Sequence, residues 1–238
     1  KGDVMVSAEV VEALGDALVI AEWRHEEETG RPFARVLGLN RPAPERPWPA
    51  LPVDALTPEQ LRPWLAAPVY ERLHSGATYL AELRPAVSLF LKFSGIHYDS
   101  DDEAGPKLDA FIRWVQGILD RYGGYMRQLT IGDKGSNLLA VFGAPVAHDD
   151  DDARAVAAAL ELRALPPELA FIASPQIGVS QGLVWAGACG GRLRCIYTVM
   201  GDEVNMAARL MGKAAPGQAL VNQHVADATA RTYQYEYL

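Results

Sequence analysis

Asn205 and Arg209 stand four residues apart in the stretch Tyr197 to Leu210, Tyr-Thr-Val-Met-Gly-Asp-Glu-Val-Asn-Met-Ala-Ala-Arg-Leu. An apolar, β-type run over residues 195–200 meets a turn at Gly201-Asp202. A helical pattern follows, with Asp202 as its expected N-cap. Residues four apart on a helix lie one above the other, so an amide and a guanidinium share one face. Just past a strand end, that pair suits a site that positions a sugar and neutralises a phosphate. Taken alone, the two residues read more readily as solvated surface; the surrounding sequence decides between these readings.

The elements that must position this pair show in the hydrophobic pattern. Residues 86–93 are an apolar strand. A turn over 103–106 leads to Leu108, Phe111, Ile112, Val115, Ile118, Leu119 and Tyr122, which recur at helical spacing until Gly123-Gly124 stops them. Residues 126–130 and 137–142 are strands around the turn-forming cluster 132–136. A helix over 153–165 follows Asp149 to Asp152. Carboxylates at a helix N-terminus cap it and favour its dipole, so a metal role for that run is not expected. Residues 176–188 and 192–200 pair around Gly190-Gly191; helix 203–211 and strand 219–222 follow. Tyr233, Tyr235 and Tyr237 alternate with polar residues, the pattern of a final strand. Hairpins mixed with βα units predict an α+β sandwich rather than a doubly wound sheet.

The 238 residues are 49% hydrophobic, enough for a sizeable core, and carry a formal net charge of −8. No basic face is advertised for nucleic acid or an anionic membrane, whereas a phosphate site, being a local arrangement, remains compatible with that charge. No signal peptide and no apolar run of membrane-spanning length is found. Cys189 and Cys195 flank Gly190-Gly191. A cross-strand pair is conceivable, and two free thiols in a reducing cytosol are the favoured reading, so the chain is expected in the cytoplasm.

Residues 2–14 align without gaps with residues 217–229: a glycine, one polar residue, three apolar residues, a polar start, then a helix-like run containing Val10 or Val225. This is an internal repeat. Strands over 17–23 and 33–39, joined by the polar loop 25–31, follow the first copy. Residues 41–68 hold eight prolines. They exclude a continuous helix or a central strand and predict a semi-rigid linker, with Trp48 and Trp64 as anchors and a short helix over 69–80.

The Tyr197–Leu210 stretch resembles the signature of the class III nucleotidyl cyclases, a Tyr-Thr-Val-Ile-Gly-Asp-x-Val-Asn-x-Ala-x-Arg run. Further blocks match in order: Gly123-Gly124, Ile131-Gly132-Asp133, Ala140 to Pro145, His148 to Ala153, Ile177-Gly178-Val179 and Pro216-Gly217-Gln218. The resemblance runs from about Leu83 to Thr229. It implies a ferredoxin-like α/β sandwich over residues 81–238, preceded by the Pro-rich linker 41–80. Since the repeated segment lies near the C-terminal end of such domains, residues 1–40 are expected to be the C-terminal tail of an upstream cyclase-like domain.

In that family the ribose 3′-hydroxyl attacks the α-phosphorus and pyrophosphate leaves. The resemblance assigns catalytic roles to Asn205 and Arg209. Two aspartates hold two divalent metals, Mg²⁺ or Mn²⁺. Lys92 stands where the first is expected, in Phe90-Leu91-Lys92-Phe93-Ser94-Gly95, and a lysine repels a metal. Asp133 corresponds to the second, in a lengthened loop where a turn role is the favoured reading. No metal ligand is therefore expected in this chain, and no spacing recommends Asp99, Asp101 or Asp102 as a replacement. Together with Glu82-Leu83-Arg84-Pro85 and Asp133-Lys134-Gly135, this pattern is similar to the second half of soluble, bicarbonate-responsive two-domain adenylyl cyclases. The expected partner is an upstream C1-type domain carrying both metal aspartates, and the degenerate second cavity around Lys92 is the place to look for a small regulator. Thr198 matches a purine-contact position, and Gln128 falls where the family's purine lysine is expected, with Arg127 facing the other way. Adenine, hence ATP, is preferred, because a guanine reader would place a carboxylate there. The alternative is a catalytically silent pseudo-cyclase serving regulation or dimerisation.

Overall fold

The computed structural model describes residues 2–50, 52, 55–76, 81–132, 135–191 and 194–237. The chain divides into two units, Lys1–Ala55 and Leu56–Leu238. In the first, β1 (Val4–Ser7) leads into the short helix α1 (Ala8–Leu14), then β2 (Leu18–His25) and β3 (Pro32–Leu39). The three strands form an antiparallel sheet in the order β1-β3-β2. Among its described residues only Ala34 is a fully buried hydrophobic.

The second unit opens with two short helices, α2 (Pro58–Leu61) and α3 (Ala67–His74). Prolines start both, at positions where the missing N–H costs nothing, and Thr57 and Gln60 close a capping box around the first. Trp48 and Trp64, the expected anchors of this segment, are 90% and 85% exposed. The buried contact is made instead by Val69 of α3, because a helix face, not side-chain size, decides which apolar residue turns inward. Of the helix expected over 69–80, the last four positions lie outside the described residues.

The body follows as β4 (Glu82–Phe93), α4 (Ala104–Arg121), β5 (Tyr125–Thr130), β6 (Ser136–Phe142), α5 (Asp151–Leu162), β7 (Gln176–Gly190), β8 (Cys195–Met200), α6 (Asp202–Lys213), β9 (Ala219–Val221) and α7 (Gln223–Thr229). The strand order is β5-β6-β4-β7-β8, with β9 parallel to the first part of β7. The βαββαβ connection with an antiparallel sheet is the ferredoxin-like α+β sandwich that the hairpins and βα units predict. The turn expected over 103–106 is absorbed into α4, whose first turn tolerates Pro106.

Alternation along the strands separates two faces. Val87, Leu89, Leu91 and Phe93 of β4, with Ile177 and Val179 of β7 and Leu138, Ala140 and Phe142 of β6, pack under α4, α5 and α7. Phe111, Val115, Ile118 and Leu119 are the contribution of α4. The second face gathers Ala86, Phe90, Leu139, Val141, Val184, Ala186, Tyr197 and Val199 with Val69 of α3 and Val204 of α6.

The strand expected from the alternating tyrosines does not form: residues 233–237 are irregular. Tyr233 packs against the main core, and the Tyr235 hydroxyl shares a 2.6 Å hydrogen bond with Thr229 Oγ1, which also meets the Val225 carbonyl. Alternation selects a face, but a strand needs a pairing partner, and among the described residues β9 pairs with β7 alone.

Candidate active site

Helix α6 is seated on the sheet with almost no space beneath it. A Cβ built on Gly178 would stand 2.1 Å from the Ala207 carbonyl oxygen and 2.2 Å from the Met211 nitrogen. One turn of helix earlier, a Cβ on Gly182 would meet the Glu203 side chain at 2.5 Å. Backbone therefore rests on backbone, and Ala207 between them is completely buried. Glu203 fixes the rotation of the helix: its carboxylate accepts from Ser180 Oγ at 2.5 Å and from Asn222 Nδ2 at 3.2 Å. Asn222 in turn bonds the Gln181 backbone and caps α7 through Val225 N.

With Ala207 facing the sheet, Asn205 and Arg209 are exposed, four residues apart on the helix, as the spacing requires. Among the described residues neither side chain has a hydrogen-bond or ion-pair partner. The N-cap position belongs to Gly201 rather than Asp202, which is the first helical residue and makes no capping bond. Asp202 and Glu203 place two carboxylates in the first turn, where they favour the dipole.

Gln128 and Thr198 lie on the two outer strands of the five-strand path, β5 and β8. Gln128 pairs with Leu139 and so shares the sheet face of α6; it is exposed, and its Nε2 donates to Thr130 Oγ1 at 3.1 Å. Thr198 pairs with Gly187, and its neighbours Tyr197 and Val199 take the α6 face, so Thr198 points to the opposite one. The register thus groups Asn205, Arg209 and Gln128 on one face and separates Thr198 from them.

Arg127 does not face away from Gln128. The β5–β6 register skips it between Met126 and Gln128, and this bulge sends its guanidinium over the Tyr197 ring, 5.8 Å from the centroid. Burial pushes its pKa down, and its Nε is buried without a partner among the described residues. A cavity of about 580 Å³ lined by Trp64, Ala66, Asp120 and Arg127 opens beside it.

Lys92 is partly buried on β4, paired with Asn137 and Gln176 on the α6 face. Asp133 and Lys134 lie outside the described residues. Asp101 is engaged elsewhere: its carboxylate takes Lys107 Nζ at 2.6 Å and Glu103 N at 2.9 Å, and the Lys107 bond holds its pKa down. Asp150 is likewise paired with Arg154, while Asp151 binds the backbone N and ring of His148. Among the described residues no three His, Cys, Asp or Glu side chains gather as a metal site; Lys92, a cation, does not fit the first of the two divalent-ion positions that the resemblance implies. Cys189 and Cys195 are exposed and free; Cys195 pairs with Gly190, one position beyond Cys189, which puts the two thiols on opposite faces of the hairpin.

Residues 106–237, more than half of the chain, match the Adenylate and Guanylate cyclase catalytic domain family. The chain belongs to this family. It is 32% identical over 134 residues to human adenylate cyclase type 10, covering 56% of this chain and 8% of that protein's length. An uncharacterised protein of Mycobacterium tuberculosis is 36% identical over 135 residues, 53% of this chain and 24% of the relative. Among solved structures, the adenylyl cyclase CyaB from P. aeruginosa superposes with a TM-score of 0.55 at 20% identity, over 64% of this chain and 84% of that one. The guanylyl cyclase Cya2 gives 0.54 at 24%, over 62% and 79%. The fold is that of class III cyclase catalytic domains.

Two features of this cyclase domain are not among those its motifs announce. The glycine seat of α6 was legible in the small-residue alternation Gly178-Ser180-Gly182 on one strand face. The inward turn of Arg127 was not, since nothing in Met126-Arg127-Gln128 announces a bulge.

Proposed function

We propose that this chain is the second half of a heterodimeric adenylyl cyclase, converting ATP to cyclic AMP and pyrophosphate together with an upstream C1-type domain. The observation that carries the reading is the pair Asn205 and Arg209, exposed and, among the described residues, unpartnered on a helix whose backbone is locked to the sheet; Lys92, at the position that the resemblance gives to a metal aspartate, supports the division of labour. Such rigid placement is what intramolecular phosphoryl transfer asks of a protein, since the chemistry needs positioning and charge stabilisation more than covalent help. The O3′–Pα bond forms, the bond from Pα to the pyrophosphate oxygen breaks, and the 3′-hydroxyl loses its proton. Arg209 stabilises the charge developing on the phosphoryl group, and Asn205 orients the ribose. Gln128, able to donate and accept, meets the purine edge, with Thr198 as its proposed second contact. The divalent ions, Mg²⁺ or Mn²⁺, would be held by the aspartates of the partner domain, and a degenerate second cavity formed with that partner at Lys92 is the proposed place for a small regulator. A cytoplasmic location accords with the absence, among the described residues, of any helix long and apolar enough to cross a membrane.

The silent pseudo-cyclase remains the second reading, favoured by Lys92 and by the separation of Thr198 from the other site residues. Assay of the purified chain decides between them. Alone, it is expected to show no cyclase activity with either metal ion; activity appears on adding an upstream domain with both aspartates. In that pair Arg209→Ala lowers kcat by on the order of a hundredfold with little change in triphosphate affinity, and Lys92→Ala leaves the rate nearly intact. ATP is preferred over GTP, and Gln128→Lys sharpens the preference. Full activity of the Arg209→Ala pair would end the catalytic reading.

A further inference from the structure

The repeat in the sequence is also a repeat in three dimensions. Gly2 and Gly217 both take positive φ, 102° and 76°. Ser7 and Asn222 precede their helices at φ −71°, ψ 164° and φ −75°, ψ 164°. Both helices, α1 and α7, are seven residues long. Their surroundings differ. Val225 is completely buried, in the core that includes Ala155, Val156 and Ala159 of α5, and Thr229 is 4% exposed. The aligned Val10 and Leu14 are 40% and 45% exposed, and α1 buries none of its residues. The strands differ in the same way. β9 pairs in parallel with β7, Ala219, Leu220 and Val221 against Ile177, Gly178 and Val179. β1 pairs antiparallel with β3 on one edge, held in register by Asp3 and Arg35 at 2.8 Å, and its other edge has no strand among the described residues.

We propose that β1 and α1 dock onto a separate cyclase-type sandwich. That body offers a free strand edge that pairs in parallel with Val4, Met5 and Val6, as β7 does with β9. It also offers a helix that covers Val10 and Leu14, as α5 helps to cover Val225. The second copy of the repeat is the argument for this occupant: the same strand–helix unit sits in such a slot within this chain. The slot of residues 56–238 is itself taken, since β9 fills the β7 edge. A second copy of the chain has its slot filled in the same way. The occupant is therefore a third body, distinct from both, and the upstream partner proposed above is of the required kind. The inference rests on the repeat and on family membership rather than on the division of catalytic labour.

Val10→Cys, in a background with Cys189→Ser and Cys195→Ser, tests it in the full gene product and in the 238-residue chain side by side. The introduced thiol is expected to react with a maleimide at a free-thiol rate in the shorter chain and at least roughly a hundredfold slower in the full product, where reaction must await local opening. A benzophenone maleimide at the same position is expected to crosslink to a cyclase-type segment outside these 238 residues. Leu14→Cys repeats both measurements should Val10→Cys disturb folding. Equal labelling rates in the two proteins would overturn the proposal, as would crosslinks to residues 56–238 of the same chain or of a second copy. Protection in a product without cyclase activity would sink the catalytic pairing and leave this docking intact; activity without protection would do the reverse.

Discussion

Residues 2–14 and 217–229 take one pattern to two ends. After the first copy the chain continues into β2, which is paired with β3. The helix of that copy, α1, buries none of its residues. The second copy has the core, and Tyr237 beyond it is 79% exposed. Strand, turn and helix arise in both copies, because a glycine at positive φ and a polar N-cap are local signals. Burial and strand pairing differ, because they depend on what lies across the contact. Local structure in this protein belongs to the segment, and stability belongs to the neighbourhood.

Equivalent mutations in the two copies should therefore have unequal effects. The largest contrast is expected from a buried charge: Val225→Asp should cost roughly 3–5 kcal/mol in urea unfolding of the 238-residue chain, while Val10→Asp should stay within about 0.5 kcal/mol. Equal losses would mean that α1 is covered as α7 is. Next, Gly178→Ala forces a methyl into the α6 backbone and should cost about 1–3 kcal/mol. The same change is expected to lower kcat in the reconstituted pair, through displacement of Asn205 and Arg209. Thr229→Val removes the hydroxyl that ties Tyr235 to the Val225 carbonyl and should cost about 1 kcal/mol. Faster amide exchange over residues 230–237 would accompany it.

The smallest effect concerns pH. Burial raises the pKa of Asp152 at the start of α5, opposed by the charge of His224 on α7 and reinforced by Asp151. A raised carboxyl pKa in the folded state contributes stability below the unfolded pKa, which is lost as pH rises through the folded value. Asp152→Asn is thus expected to stabilise the Leu56–Leu238 unit near pH 7, by well under about 1 kcal/mol given its partial exposure, with no gain near pH 3. Lys1–Ala55 should show no difference, which separates the two units by pH alone.

Much of the fold could be read because its signals are periodic. The stripe from Leu108 to Tyr122 leaves α4 little choice, and the four-residue spacing of Asn205 and Arg209 fixes their common face once α6 exists. The failures share a cause: each depended on a contact across space. Trp48 and Trp64 look like anchors by size, yet Val69 holds the inward face. The tyrosine alternation is a strand pattern with no partner strand among the described residues. Arg127 alternates outward on an ideal strand, and one skipped residue turns it over Tyr197. Thr198 is a separate case: only the resemblance joins it to Gln128, and its purine role stays a proposal, while its pairing with Gly187 depends on the register of a hairpin that composition does not set.

Strand β7 runs 15 residues and pairs with β4, β8 and β9. It behaves as a beam from which the rest of the domain hangs: α6 rests on it at Gly178, and the β8 strand hangs beyond Gly182. Neither its β4 nor its β8 register contains a break, so parity is conserved from one end to the other. The addition of a single residue near its middle would exchange inside for outside along everything downstream, moving Tyr197 and Val199 out of their cluster and Thr198 into it. Substitutions on β8 can retune what that strand presents without moving the helix. Changes of length in β7 cannot, and in related chains this strand should accept new side chains far more readily than a new residue count.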